Sequence, residues 1–238
     1  MDNSSPKNYF ALERANQPLE LSCVLAIHNE GENLRTLYQE LNEVLGGLGK
    51  SYEIICVDDG SQDSSFNILK ELAAQDQNLK VISFQMNYGQ TAALSAGISA
   101  AQGAVIITMD ADGQNDPHDL PKFLTKIEAG SMVVSGWRKQ RQDKLLSRRL
   151  PSIIANKLIV WITGVKIHDY GCMMKAYRRE FIEGVNLYGE MHRFIAAYAA
   201  WHGGRVDEII INHRPRVHGQ THYGISRTFK VLLDLVVI

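Results

Sequence analysis

Short apolar runs alternate with longer amphipathic stretches through the first half of the chain. ELSCVLAI (Glu20 to Ile27) is one such run, and NEGENLRTLYQELNEVL after it carries Leu34, Leu37, Leu41, Val44 and Leu45 on one helical face. SYEIICVDDGS is a second strand ending in acids, and SQDSSFNILKELAAQ a second helix with Phe66, Leu69 and Leu72 or Ala73 inward. LKVISF (Leu79 to Phe84) predicts a third strand, and GQTAALSAGISAAQG a helix of small residues stopped by Gly103. AVIITMD, DLPKFLTKIEAG and SMVVSG continue the rhythm as strand, helix and strand. Strands that are apolar throughout, joined by helices, predict an α/β fold with a mostly parallel sheet covered on both faces.

In such sheets the loops at the carboxyl ends of the strands form the binding crevice. Here they read His28-Asn29-Glu30, Asp58-Asp59-Gly60-Ser61, Asn87-Tyr88-Gly89-Gln90 and Asp110-Ala111-Asp112-Gly113-Gln114. The stretch TMDADGQNDPHD gathers four aspartates in twelve positions. Asp116-Pro117 suits a helix start, which accounts for Asp116 and Asp119. Asp110 and Asp112 flank a small residue at the strand end, where two carboxylates can face one hard cation; the competing reading is a solvated loop. No glycine fingerprint follows the first strand and no phosphate-binding glycine loop with lysine occurs anywhere. The crevice therefore offers carboxylates for ribose hydroxyls and base N–H groups, and a metal for a diphosphate.

The rhythm breaks after Gly136. RKQRQDKLLSRRL (Arg138 to Leu150) is strongly basic, and PSIIANKLIVWITG follows with Leu150, Ile153, Ile154, Lys157, Leu158, Trp161 and Ile162 at helical spacing. That is the pattern of an interfacial helix beside anionic lipid, although an ordinary core helix fits the periodicity too. Next come GVKIHDYGCMMKAYRREF with Asp169, a helix from about Gly189 in YGEMHRFIAAYAAWHGG, and a strand from Val206 to Ile211. The segment beyond holds Arg214, Arg216, His213, His218 and His222, suited to phosphate groups opposite the acids. FKVLLDLVVI ends the chain while still apolar.

With 238 residues, 45% of them apolar, and 25 basic against 26 acidic side chains, the chain is of ordinary globular composition. The near balance, with no zinc spacing and no helix-turn-helix pattern, argues against nucleic-acid binding. Cys23 and Cys56 lie inside apolar runs, as small buried hydrophobes of a reducing compartment. The polar N-terminal stretch has no signal-peptide character, and no run reaches the roughly 18 to 20 apolar residues a membrane span needs.

Together HNEGENL, IICVDDGSQDSS, NYGQTAALSAG, ITMDADGQNDP, SGWRKQR, TGVKIHDYGCMMKAYRR, YGEMHRFIAA and NHRPRVHGQTHYGISR resemble the polyprenyl-phosphate glycosyltransferases. These are the relatives of dolichyl-phosphate mannose synthase and of bacterial undecaprenyl-phosphate sugar transferases, and the resemblance runs from about Leu21 to Asp234. It implies a Rossmann-like glycosyltransferase A fold and inverting, Mg2+- or Mn2+-dependent transfer of a hexose from a nucleoside-diphosphate sugar to a polyprenyl phosphate, with UDP expected over GDP. By this resemblance residues 1–19 are an N-terminal arm, 20–137 the nucleotide-sugar half, 138–218 the acceptor half and 219–238 a membrane-proximal segment. His28, Glu30, Asp58, Asp59, Asn87, Gln90 and Asp110 would hold the donor, Asp59 at the base. Asp110, Asp112 and Gln114 would serve the metal, and Arg138, Arg214 and Arg216 would face phosphates. Asp169 would orient the donor sugar or act as base, and Glu190, Arg193, Arg216 and His222 would meet the acceptor. The work would be done in the cytoplasm, at the inner face of the cell membrane, by a chain open to forming homo-oligomers. Two positions depart from the pattern: His222 stands where relatives often have lysine, and Gly113 where leucine is common.

An acceptor phosphate is already ionised at neutral pH and needs little help from a base, which favours a positioning role for Asp169. A soluble glycosyltransferase with a saccharide or protein acceptor is the rival reading and demands a true base. A non-catalytic nucleotide-sugar-binding domain is a further alternative, and a nucleotidyltransferase would bring a lysine-rich first loop that HNEGENL lacks.

Overall fold

The computed structural model describes residues 18–139 and 150–216, with backbone alone for 150–155. The basic run from Gln140 to Arg149, His218, His222 and the apolar end lie outside the described residues, so expectations placed on them stand as expectations.

Seven strands form one sheet: β1 (Leu21–Ile27), β2 (Tyr52–Asp58), β3 (Leu79–Ser83), β4 (Val105–Asp110), β5 (Val133–Trp137), β6 (Lys175–Arg178) and β7 (Val206–Ile210), in the order β3-β2-β1-β4-β6-β5-β7. The first four pair in parallel, as do β5 and β7, while β6 runs antiparallel between β4 and β5. The helices are α1 (Gly31–Gly47), α2 (Ser65–Ala73), α3 (Gln90–Ala100), α4 (Leu120–Glu128), α5 (Leu150–Thr163), α6 (Arg179–Ile182) and α7 (Ile195–Trp201).

Strand periodicity divides the core in two. Leu21, Cys23, Leu25 and Ile27 of β1 share one buried cluster with Leu34, Leu37 and Leu41 of α1 and Phe123 and Ile127 of α4. Val24, Ile55 and Val57 face the other way, onto Ala93, Leu94 and Ile98 of α3, Ile159 of α5 and Ile195 and Ala199 of α7. Small residues let α3 lie close to the sheet: a Cβ on Gly97 would fall 2.4 Å from Val24 Cγ1. The three cysteines are free and buried.

The alternating elements of the first half are as expected, while two readings of the back half and one side chain of α2 are corrected. KAYR forms the antiparallel strand β6 between β4 and β5, a strand that the sequence pattern did not mark. The helix expected from about Gly189 begins at Ile195, preceded by a 3-10 turn over Met191–Arg193. Phe66 is 39% exposed and turns from the core to a cleft described below. On α5, Trp161 is 81% exposed, so the apolar stripe is not wholly covered by the body. Among the described residues no helix is long and apolar enough to cross a membrane.

The strand order reverses direction at β1, between β2 and β4, the place where such sheets open a crevice at their carboxyl edge. Because β6 is antiparallel, the segment leading into it also arrives at that edge, as Lys175 pairs with Thr108 near the end of β4. This topology brings Asp169 and Asp110, far apart in sequence, to the same edge, both within the electrostatic reach of Arg138.

Candidate functional site

A cleft of about 420 Å³ opens beside the ends of β1, β2 and β3, lined by His28, Asn29, Asp58, Gly60, Phe66, Phe84 and Asn87 among others. His28 Nδ1 lies 2.9 Å from the Asp59 carbonyl and must donate there. Its Nε2 then accepts from Asn29 Nδ2 at 3.2 Å, which fixes the ring against the loop. Asn29 has a left-handed backbone, φ 57°, tolerable for asparagine, and its side chain accepts from Gln62 N at 2.8 Å. Gly60, φ 64°, packs so closely on Met86 and Asn87 that a Cβ would come within 2.4 Å of the Met86 carbonyl carbon.

The two aspartates of the second loop have different surroundings. Asp58 lines the cleft and accepts from Ser83 Oγ at 3.2 Å. Asp59 turns its carboxylate to Tyr88 N at 2.7 Å and Gly89 N at 2.9 Å, anchoring the entry to α3. Asp58 thus lines the cleft, and Asp59 lies beside it on the backbone of the third loop.

At the end of β4, Gln90 Nε2 donates to Asp110 Oδ1 at 2.8 Å. Asp112 is buried, accepts from Gln114 N at 3.1 Å and pairs with Arg216. Arg216 Nη2 also faces Gln114 Oε1 at 3.5 Å. Glu30 lies close by; burial raises its pKa, with the Asp112 charge adding to the effect. The segment carrying Arg216 is strapped to this loop by a bridge between Asn115 and His213 and by Arg214 N donating to Gln114 O at 2.8 Å. Arg214 itself clamps Glu40 and Asp116, each at 2.7 Å, so its guanidinium secures the strap to α1. Although burial opposes it, hydrogen bonds from Asn212 and His118, with the Arg214 charge, hold Asp116 down at about 2.

Among the described residues no three His, Cys, Asp or Glu side chains converge on a metal position. The donors present are the hard oxygens of Asp110, Asp112 and Gln114, a sparse set of the kind that suits Mg2+ or Mn2+ shared with substrate phosphates. Asp112 and Gln114 both face one guanidinium nitrogen of Arg216, so the oxygens of these two residues already meet at one cation and their chemistry fits such an ion.

On the β6 side, Arg138 grips Asp169 through Nε at 2.7 Å and Nη2 at 2.9 Å. Both side chains are largely buried, and the carboxylate, against the pull of burial, keeps the guanidinium's pKa raised. Arg193 Nε donates to Glu190 at 2.9 Å. A Cβ on Gly171 would stand 3.0 Å from Arg193 Nη1 and 3.5 Å from Arg138 Nη2, so both guanidinia converge over that glycine. Thr91 joins this side to α3, donating to Gly189 O at 2.5 Å and meeting His192 Nδ1 at 2.7 Å.

The expected residues thus gather along one edge in three groups: the cleft with His28, Asp58 and Asn87; the DAD end with Glu30, Gln90, Asp110, Gln114 and Arg216; and the Asp169 side with Arg138, Glu190 and Arg193. Phe66 and Phe84 were read from the sequence only as parts of a helix and a strand, and Gly171 and Lys175 were not singled out. Of these, Lys175 left a signal, being the one cation between Asp169 and Arg178 in an otherwise uncharged stretch.

A model of glycosyl transferase family 2 matches residues 22–185. Dodecaprenyl-phosphate galacturonate synthase of Rhizobium johnstonii is 45% identical over 92% of this chain and 66% of its own length. Undecaprenyl-phosphate 4-deoxy-4-formamido-L-arabinose transferase of Pseudomonas fluorescens is 37% identical over 91% of this chain and 63% of its own. The chain therefore spans less than two thirds of the length of either relative. In fold it is similar to glucosyl-3-phosphoglycerate synthase of Mycobacterium tuberculosis, solved with Mn2+, UDP and glucosyl-3-phosphoglycerate. The TM-score is 0.68 at 16% identity, over 92% of this chain and 79% of that one. The A-type fold and the resemblance to polyprenyl-phosphate sugar transferases are both borne out. With the family model covering both the loops at the ends of β1, β2 and β4 and the Asp169 segment, the chain belongs to glycosyl transferase family 2.

Proposed function

We propose that this protein transfers a sugar from a nucleoside-diphosphate donor, UDP-linked by preference, to a polyprenyl phosphate, with inversion at the anomeric carbon. The observation that carries the reading is the alignment of three groups along one sheet edge: a nucleoside-sized cleft, the DAD carboxylates with Arg216, and the Arg138–Asp169 pair with Arg193 over Gly171. The names of the two relatives, both polyprenyl-phosphate sugar transferases, support the choice of acceptor.

In this scheme the base enters the cleft beside Asp58 and Phe66, and the diphosphate extends toward Asp112. When bound, a Mg2+ or Mn2+ ion held by Asp110, Asp112 and Gln114 would neutralise charge developing on the leaving diphosphate. Arg216 lies at the same place and supplies a guanidinium to the phosphates. An acceptor phosphate oxygen attacks the anomeric carbon as the bond from that carbon to the diphosphate oxygen breaks, and the nucleoside diphosphate departs with the electron pair. A single in-line displacement needs no enzyme nucleophile.

Asp169 is tied through both oxygens to Arg138, which holds it in one orientation. It serves best as a fixed acceptor of hydrogen bonds from the donor sugar, and the ionised phosphate needs no base. The soluble-acceptor alternative would have to free Asp169 from Arg138 first, which disfavours it. The test is a donor screen read by release of nucleoside diphosphate, with UDP- and GDP-linked hexoses and uronic acids, with and without undecaprenyl phosphate. Release that depends on undecaprenyl phosphate is expected; release stimulated equally by a soluble saccharide would overturn the acceptor assignment.

A further inference from the structure

One buried cation takes no part in the scheme above. Lys175 opens β6, flanked by Thr108 of β4 and Ser135 of β5, and is 1% exposed. Its Nζ donates to Cys172 O at 2.5 Å and Tyr170 O at 3.2 Å, and among the described residues it makes no salt bridge. A buried ammonium without a carboxylate is costly, which marks this one as serving more than packing. Burial pushes its pKa down to about 8, with Cys172, Arg193, Asp169 and Arg138 as its ionisable neighbours.

The two carbonyls belong to the turn that carries Asp169 into β6. Buried backbone carbonyls need donors, and the sheet supplies some of them. Thr108 Oγ1 reaches Met173 O at 2.8 Å and Gly136 N reaches Met174 O at 2.9 Å. For Tyr170 and Cys172 the donor is the Lys175 ammonium. Between those residues lies Gly171, whose missing Cβ would stand 3.0 Å from Arg193 Nη1, 3.5 Å from Arg138 Nη2 and 3.6 Å from Asp169 Oδ1. The turn pinned by Lys175 is therefore the floor on which two guanidinia and a carboxylate meet. Asp169 offsets Arg138, Glu190 pairs with Arg193, and Asp110 and Glu208 add negative charge nearby, so the ammonium is a buried cation set against that acidic surplus beneath the turn.

We propose that Lys175 is a positioning residue for the acceptor phosphate: it pins the Tyr170 to Cys172 turn beneath Arg138, Asp169 and Arg193, and its charge favours a phosphate monoester above Gly171. The proposal rests on the polyprenyl-phosphate reading and names a residue for it. The test compares parent protein with Lys175→Met, which keeps the length of the side chain and removes its donors and charge. The parent's sugar transfer to undecaprenyl phosphate is measured first. The variant should then raise the acceptor KM by about tenfold or more while donor KM and UDP affinity by calorimetry stay within about twofold. Amide hydrogen exchange should quicken in residues 169–174 and not in α1 or α2. Should Lys175→Met fail to fold, Lys175→Gln, which retains a donor, is expected to show the same selective rise in acceptor KM. An acceptor KM unchanged from the parent's, or acceptor and donor KM rising together, overturns the positioning role alone. A parent that transfers nothing to undecaprenyl phosphate overturns the acceptor reading and this proposal with it.

Discussion

Asp112, at the end of β4, is buried and already has a guanidinium against its carboxylate. A metal ion binding there competes with Arg216 for the same oxygens. Arg216→Ala should therefore tighten Mn2+ binding in the absence of nucleotide, by about tenfold, the scale of one charged contact; calorimetry reads this directly, and unchanged or weaker binding would place the ion elsewhere. Asp116 shows a second residue-scale effect. Its carboxyl is held at about 2 in the fold against 3.8 in the free side chain, so its stabilising contribution is complete above the higher value and fades as pH falls toward the lower. The stability advantage of the parent over Asp116→Asn, from urea midpoints, should shrink between about pH 5 and about pH 2. A constant gap across that range would show that the ionised form gains nothing from its partners. At this scale the sequence made the acids and arginines legible but not their division of labour. Nothing in VDDGS distinguishes Asp58 in the cleft from Asp59 on the backbone of Tyr88 and Gly89, because that choice depends on how the third loop folds back.

Among the elements, α3 owes its place to what its side chains lack. It lies over β1 and β2 through Gly97, Ala93 and Leu94, and it delivers Gln90 to Asp110 and Thr91 to His192. Gly97→Val would set side-chain carbon against Val24, so it should cost about 1–3 kcal/mol of stability in chemical denaturation, as overpacking does. Val24→Ala in the same chain should recover part of that loss; no recovery would mean that Gly97 acts through the helix backbone alone. The small-residue helix was legible in GQTAALSAGISAAQG, and so were the parallel strands, each long enough to show its own period. β6 was not, since four residues give too short a pattern and its buried lysine reads as a surface residue until the strand is seen between two others. The helix start at Ile195 was likewise hidden, because Glu190 to Arg193 make a 3-10 turn that brings Arg193 toward Gly171.

The whole molecule combines a sheet edge that runs from the β1–β3 cleft to the Arg138–Asp169 corner and an apolar residue, Trp161, that stands 81% exposed at the end of a helix preceded in sequence by a basic run. We expect the protein to sediment with anionic liposomes at low salt, each basic residue near the surface contributing on the order of 1 kcal/mol. Trp161→Ala should weaken that partition, and a protein that stays in solution with anionic vesicles would return α5 to the role of a core helix. The central claim, transfer of sugar to a lipid phosphate, is tested most directly by giving the protein radiolabelled nucleotide sugars, Mn2+ and undecaprenyl phosphate and counting label extracted into organic solvent. The account predicts label in the lipid phase for at least one UDP-linked sugar, abolished by chelator and reduced by about a hundredfold or more in Asp112→Asn, whose fold is retained. Label that appears on a soluble saccharide and never in the lipid phase would contradict it.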